Sequence, residues 1–224
     1  MKISILFFLI FSGNLLSAQN YYEDAKALDC IRAIRAKADS LEAVGEREVS
    51  FQMRFDSVTN CLLGLKMSNF SFENISSEVL DFQEISTPIL LITSASWCKP
   101  CKAEIPAINK IAERYEGKLK VILLFWDKQE KVEKMRLNYS SFIELVPSKE
   151  HYKNEIKLAI NDFEHYLGFP TSYFISRSKE IVMISQGAVM AREAANGNPA
   201  ISEQQANRMN YNSIKKEVER LLRK

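Results

Sequence analysis

A chain of 224 residues, 46% apolar and 26% charged, holds enough material for one packed domain and a small appendage, and its composition excludes both a disordered chain and a membrane bundle. With 30 basic against 28 acidic side chains, a net charge of +2 and no long basic run, charge gives no case for a nucleic-acid partner.

The first segment reads as an address rather than as structure. Lys2 precedes an apolar stretch from Ile3 to Phe11, extended by Leu15 and Leu16, and Ser17-Ala18-Gln19 supplies small residues for cleavage. Residues 1–18 are therefore expected to be a signal peptide. The stretch is interrupted by Ser12, Gly13 and Asn14 and is short for a hydrocarbon core of about 30 Å, so no membrane span is expected after cleavage. The mature chain is expected to be periplasmic or secreted, where disulfides form and persist.

Two amphipathic helices follow. Leu28, Ile31, Ile34, Ala38 and Leu41 recur at helical spacing between Tyr21 and about Val44, and Gly45 ends the run. Phe51, Phe55, Val58 and Leu62 mark a second helix from about Val49 to Leu63. Residues 19–61 thus form a helical hairpin ahead of a main domain at 62–224. Cys30 and Cys61 lie one in each helix, and in an exported protein they are expected to pair as a structural disulfide; two buried thiols, or a second redox pair, are the other readings.

After Gly64 the pattern shortens to strands. Phe70 and Phe72, then Val79, Leu80 and Phe82, suggest an edge hairpin. Ile89-Leu90-Leu91-Ile92 within Pro88–Thr93 is a continuous apolar run of strand length, as in a parallel sheet covered on both faces, and Val121–Trp126 is a second. A helix between them makes a strand-helix-strand unit of α/β type. Further on, the patterning predicts a helix at Lys128–Asn138, a short strand at Phe142–Val146, and a helix at Tyr152–Leu167 with the stripe Ile156, Ile160, Phe163 and Leu167. Strands at Thr171–Ile175 and Ile181–Ser185 and a closing helix at Ile214–Leu222 complete it. Residues 190–210 show little periodicity and read as a loop or ragged helix, an insertion before the last helix.

The chemistry concentrates in Trp97-Cys98-Lys99-Pro100-Cys101, where the first buried strand hands over to its helix. This is the position of a C-x-x-C redox motif. Residues three apart in a helix have Cα atoms about 5–6 Å apart, which suits a disulfide that opens and closes with little backbone motion. Free N–H groups at the helix start, with Lys99 nearby, favour a Cys98 thiolate as the attacking sulfur, and Cys101, one turn on, resolves the mixed disulfide. Metal binding is not expected: His151 and His165 are the only histidines, zinc-ligand spacing is not matched, and each reads as an ordinary surface or helix-face residue.

Glu104 falls on the stripe Cys101, Glu104, Ile108, Ile111 and Tyr115. Buried there, its carboxyl has a raised pKa and can exchange a proton with the Cys101 thiol; at the stripe's edge it simply reaches solvent. Pro106 predicts a kink. Pro170, in Gly168-Phe169-Pro170-Thr171, opens a strand, where proline is tolerated on structural grounds alone.

Taken together, Gly64 with Asn69-Phe70-Ser71-Phe72, Ser94-Ala95-Ser96-Trp97-Cys98-Lys99-Pro100-Cys101, Glu104 before Pro106, and Phe169-Pro170-Thr171-Ser172-Tyr173-Phe174-Ile175 resemble the thioredoxin superfamily, specifically its TlpA/ResA-like branch of exported thiol-disulfide oxidoreductases. The resemblance covers about Leu62 to Lys224. It implies a thioredoxin-like fold, with a central mixed sheet flanked by helices, and disulfide exchange without a bound cofactor. The proline matching Pro170 is cis in that family and lies against the cysteine pair. Trp97, Phe169, Pro170 and Thr171 are then substrate-binding positions, and Lys99 and Pro100 tune the redox pair. Cytoplasmic thioredoxins bury an acidic residue where Ile92 stands, and Glu104 matches the acidic residue the TlpA/ResA branch uses instead. The implied partners are disulfide-containing exported proteins and a redox partner that recharges the pair, with reduction the favoured direction. The alternative is a thioredoxin-like binding module that docks a partner without redox turnover.

Overall fold

The computed structural model describes residues 25–67, 69–149, 158–160, 163–165, 167–195 and 198–223. The segment read as a signal peptide and His151 lie outside them. Helices α1 (Ala25–Ala43) and α2 (Arg47–Leu62) form the N-terminal hairpin, and strands β1 (Ser71–Glu73) and β2 (Val79–Asp81) pair antiparallel. There follow β3 (Ile89–Ser94), α3 (Lys99–Arg114), β4 (Lys120–Phe125), α4 (Gln129–Met135) and β5 (Ile143–Val146). The remaining elements are β6 (Leu158–Ile160), β7 (Phe163–His165), β8 (Thr171–Ile175), β9 (Ile181–Gln186) and α5 (Glu203–Leu221).

The main sheet has the order β5-β4-β3-β8-β9, with β3, β4 and β5 parallel and β8 and β9 antiparallel to their neighbours. This is the mixed sheet of a thioredoxin-like fold. Its two central apolar runs are continuous because both faces are covered. Leu90 and Ile92 of β3 pack with Val121, Leu123 and Phe125 against Ile108 and Ile111 of α3 and Ile214 and Val218 of α5. On the other face Ile89 and Leu91 pack with Ile122 and Leu124 against Phe72, Phe82 and Leu62.

The N-terminal hairpin belongs to this second face. Ile31, Ile34 and Phe55 pack against the core there, and buried Ser50 donates its hydroxyl to Ala38 O at 2.8 Å, tying α2 to α1. A disulfide joins Cys30 to Cys61 with their Cα atoms 6.1 Å apart. Beyond α2 the chain bonds to β9 through Gly64 N–H to Ile181 O and Ile181 N–H to Leu65 O, covering an otherwise open sheet edge. Among the described residues no helix is long and apolar enough to cross a membrane.

Two expectations are corrected. The helix expected at 152–167 is replaced, in its described part, by β6 and β7, which pair antiparallel with Ile160 opposite Phe163 and Leu158 opposite His165. Asn and Asp disfavour helix interiors, so the sequence Asn161-Asp162 weakens what is only a brief match to helical spacing. The last helix begins at Glu203 rather than near Ile214, so of the segment read as loop or ragged helix, residues 203–210 are regular helix. Its start is a capping box: Ser202 Oγ accepts the Gln205 N–H and the Gln205 side chain accepts the Ser202 N–H. Its buried stripe of Ala206, Asn210, Ile214, Val218 and Leu221 is hidden in hydropathy because Asn210 is polar. That side chain is fully used, accepting Val189 N–H and donating to Val189 O and Ala103 O.

Candidate active site

The site lies at the C-terminal end of β3, where a parallel sheet leaves a crevice outside its strand ends. Ala95, Ser96 and Trp97 connect β3 to α3, and the Cys98 N–H closes the turn on Ala95 O at 3.0 Å. Cys98 is the N-cap of α3, and its Sγ accepts the backbone N–H of Cys101 at 3.2 Å. In the reduced protein this contact, with the helix start behind it, favours negative charge on Cys98. The structure holds the oxidised form, with Cys98 and Cys101 disulfide-bonded and their Cα atoms 5.3 Å apart. Both cysteines are 4% exposed, so what distinguishes Cys98 is the N–H aimed at its sulfur rather than exposure. Lys99 is exposed and Pro100 half-buried in the first turn.

The connecting loop is held from below by Asp127, which follows β4 and is 1% exposed. Its two carboxylate oxygens accept the Ser96 backbone N–H and the Ser96 hydroxyl, each at 2.6 Å, and exposed Lys131 pairs with it at 3.2 Å. Charge-assisted bonds of this length fix Ser96, two residues before Cys98.

Aromatic rings wall the disulfide. Trp97, half exposed, stands edge-on to Trp126 at 6.1 Å and to Phe169 at 5.8 Å, and Trp126 and Phe169 pack against Ala95, Cys98 and Cys101. The Phe169-Pro170 bond is cis and Pro170 is buried. Antiparallel pairing of β8 with β3 brings this segment to the cysteines, because Thr171, first in β8, lies opposite Thr93 near the end of β3. Thr171 is fully buried and its Oγ1 donates to Gly168 O at 2.9 Å, so its side chain faces inward. Beside Trp97 an open groove of about 570 Å³ is lined by Lys102, Ile105, Lys131 and Met135.

Glu104 lies one turn beyond Cys101 on the buried stripe of α3, which also carries Ile108 and Ile111. It is 5% exposed, its Oε2 has no hydrogen-bond partner among the described residues, and burial alone pushes its pKa from 4.5 to about 8. The carboxyl is therefore neutral at pH 7 in this oxidised form. Ile92, on the strand beneath, is buried and apolar. Burial also holds the Tyr139 hydroxyl above the ordinary tyrosine range; a hydrogen bond with Ser94 opposes this, while the Asp127 and Glu104 carboxyls add to it.

Cys98, Cys101, Trp97, Phe169 and Pro170 thus converge on one place, with Glu104 on the buried side of the same helix. Cys30 and Cys61 belong to the N-terminal hairpin and form a separate bond. The sequence reading gives no role at the site to four residues around it: Trp126, Asp127, Tyr139 and His165. Asp127 is foreshadowed by its position directly after a buried parallel strand, where functional groups collect. His165, read as a surface or helix-face residue, is instead 1% exposed at the end of β7; its assignment failed with that of the helix.

Comparisons with known proteins agree with this geometry. The model of the AhpC/TSA family matches residues 63–184. The thioredoxin-like protein YneN of Bacillus subtilis is 29% identical over 132 residues, spanning 58% of this chain and 75% of that protein. The thiol-disulfide oxidoreductase ResA of Oceanobacillus iheyensis is 33% identical over 103 residues, covering 45% of this chain and 50% of ResA. The crystal structure of a thiol:disulfide interchange protein DsbE from Chlorobium tepidum superposes with a TM-score of 0.50 at 16% identity, covering 71% of this chain and 97% of that one; at this identity the likeness speaks for the fold alone.

Proposed function

This chain belongs to the AhpC/TSA family, and we propose that it is a thiol-disulfide oxidoreductase that reduces disulfides of exported proteins through Cys98 and Cys101. The observation that carries this reading is a closed Cys98–Cys101 disulfide at the strand-to-helix junction, with a backbone N–H on the Cys98 sulfur and, on the buried face behind Cys101, a neutral Glu104 whose Oε2 has no partner among the described residues. The apolar residues 1–18 and the second disulfide, Cys30–Cys61, support an oxidising compartment.

In the reduced enzyme the Cys98 thiolate attacks one sulfur of the substrate disulfide, forming a mixed disulfide and releasing the other sulfur as a thiolate that takes up a proton. Cys101 then loses its proton to the ionised form of Glu104, which becomes the neutral carboxyl of the oxidised enzyme, and attacks Cys98 Sγ. The enzyme disulfide forms, the second substrate sulfur leaves as a thiolate that takes up a proton from water, and the substrate has gained two electrons. A dithiol partner reverses these steps to recharge the pair, with protonated Glu104 supplying the proton as Cys101 leaves. Trp97, Phe169 and Pro170 hold the substrate chain beside Cys98, while Lys99 and Pro100 act on the potential of the pair.

Insulin reduction with dithiothreitol tests this reading. Wild-type protein is expected to accelerate it, Cys98→Ala to fall to background, and the reduction potential of the pair to lie below the glutathione poise of about −200 mV. Equal rates for the two proteins would reject the enzyme, and a potential near that of strong oxidants would reverse the direction.

A further inference from the structure

The segment that carries Phe169 and Pro170 is fastened by a histidine the mechanism has not used. His165 Nε2 lies 2.7 Å from Gly168 O and Nδ1 lies 2.8 Å from the Tyr173 hydroxyl. A carbonyl oxygen can only accept, so Nε2 bears the proton. A neutral imidazole has one N–H, which leaves Nδ1 as the acceptor for the Tyr173 O–H. The surrounding hydroxyls agree with this tautomer. Thr93 Oγ1, 3.2 Å from Nε2, accepts the Thr171 N–H and donates to Thr171 O, while Thr171 Oγ1 donates to the same Gly168 O that His165 holds. Every proton of the cluster thus has an acceptor. Burial, which lowers the histidine pKa to about 4, keeps the ring neutral. The imidazole also lies 5.7 Å from the Phe169 ring, which in turn meets Trp97 beside Cys98.

We propose that His165 is a positioning residue: held as the Nε2–H tautomer by Tyr173, it fixes the Gly168 carbonyl and so sets Phe169 and Pro170 where they grip the polypeptide substrate. The inference rests on the oxidoreductase reading above. A group acting this way affects capture of an extended chain, which spans the Phe169-Pro170 segment, and spares a small disulfide that needs only the Cys98 sulfur.

The experiment has two parts. The first is ¹⁵N NMR of the imidazoles of the intact protein, which has two histidines and is assigned with His151→Gln; it is expected to show the His165 proton on Nε2, and a proton on Nδ1 would overturn the proposal. The second compares insulin with 5,5′-dithiobis(2-nitrobenzoate) as substrates. His165→Phe, which fills the site without a donor, is expected to raise the KM for insulin about tenfold with kcat and the rate on the small disulfide within about twofold. His165→Gln retains an N–H for Gly168 and is expected within about threefold of wild type in KM. An unchanged insulin KM in His165→Phe, or an equal loss on both substrates, would overturn the assignment. If His165→Phe lacks the circular dichroism of the folded protein, Tyr173→Phe replaces it; freeing Nδ1 to take the proton, it is expected to raise the insulin KM about threefold, and no rise would overturn the proposal. Absence of insulin turnover by the wild type defeats the oxidoreductase reading instead, and the NMR result then decides the placement of the proton alone.

Discussion

Thr93 and Thr171, 78 residues apart in the chain, are joined by a hydrogen bond in which Thr93 Oγ1 accepts the Thr171 backbone N–H at 3.2 Å. Both residues are fully buried. The bond ties the strand that ends at the cysteine pair to the strand that begins at Pro170, so it sets the spacing between the two halves of the site.

Thr93→Val keeps the shape of this side chain and removes its oxygen. The Thr171 N–H then loses its acceptor in a buried position, and the variant is expected to be less stable by about 1–3 kcal/mol. Insulin turnover should fall with it, because Pro170 is next in the chain. Urea denaturation beside the insulin assay checks both, and full activity with unchanged stability would show that the strand pairing alone sets the spacing.

Glu104 makes stability depend on pH in an unusual sense. Its carboxyl titrates near 8 in the fold and near its ordinary 4.5 when unfolded. Between those values the folded state holds a proton the unfolded state has lost, so this group's effect is nil below pH 4.5 and increasingly destabilising up to pH 8. A shift of this size corresponds to roughly 5 kcal/mol in total. Glu104→Gln removes the titration, so its stability relative to wild type is expected to rise from pH 4 to pH 9, read by denaturation of the oxidised protein at each pH. The same variant should slow resolution of a mixed disulfide trapped at Cys98 by about 10²-fold, the ordinary worth of a general base. A pH-independent difference in stability would mean that the carboxyl reaches water.

The Cys30–Cys61 bond closes a loop of sequence separation 31. In the chain-entropy model such a closure is worth about 3–4 kcal/mol. The double variant Cys30→Ser with Cys61→Ser is expected to lose stability of that order in chemical denaturation while reducing insulin at the wild-type rate. A loss of turnover in a folded double variant would give these cysteines a redox role.

The parts of this protein that depend on neighbours along the chain were legible from the residues alone. An apolar run covered on both faces announces β3 and β4, an intervening amphipathic helix makes them parallel, and Cys98 three residues before Cys101 at that junction has the spacing of the disulfide found there. The stripe Cys101, Glu104, Ile108 and Ile111 put Glu104 on one helical face but left burial or a solvent-reaching edge open, and the structure buries it. Where a segment's own pattern was weak the reading failed: short helical spacing stands where 158–160 and 163–165 pair as strands, and a buried Asn210 interrupts the apolar stripe of α5.

Tertiary structure alone decided what crosses the sheet. Asp127 reaches Ser96 because β4 lies parallel beside β3, and His165 reaches Gly168, Tyr173 and Thr93 because β8 lies antiparallel on the other side. Local patterns record which face of an element is buried and which residue types can carry out chemistry. They do not record strand order, and a buried polar side chain takes its meaning from the distant partner that satisfies it.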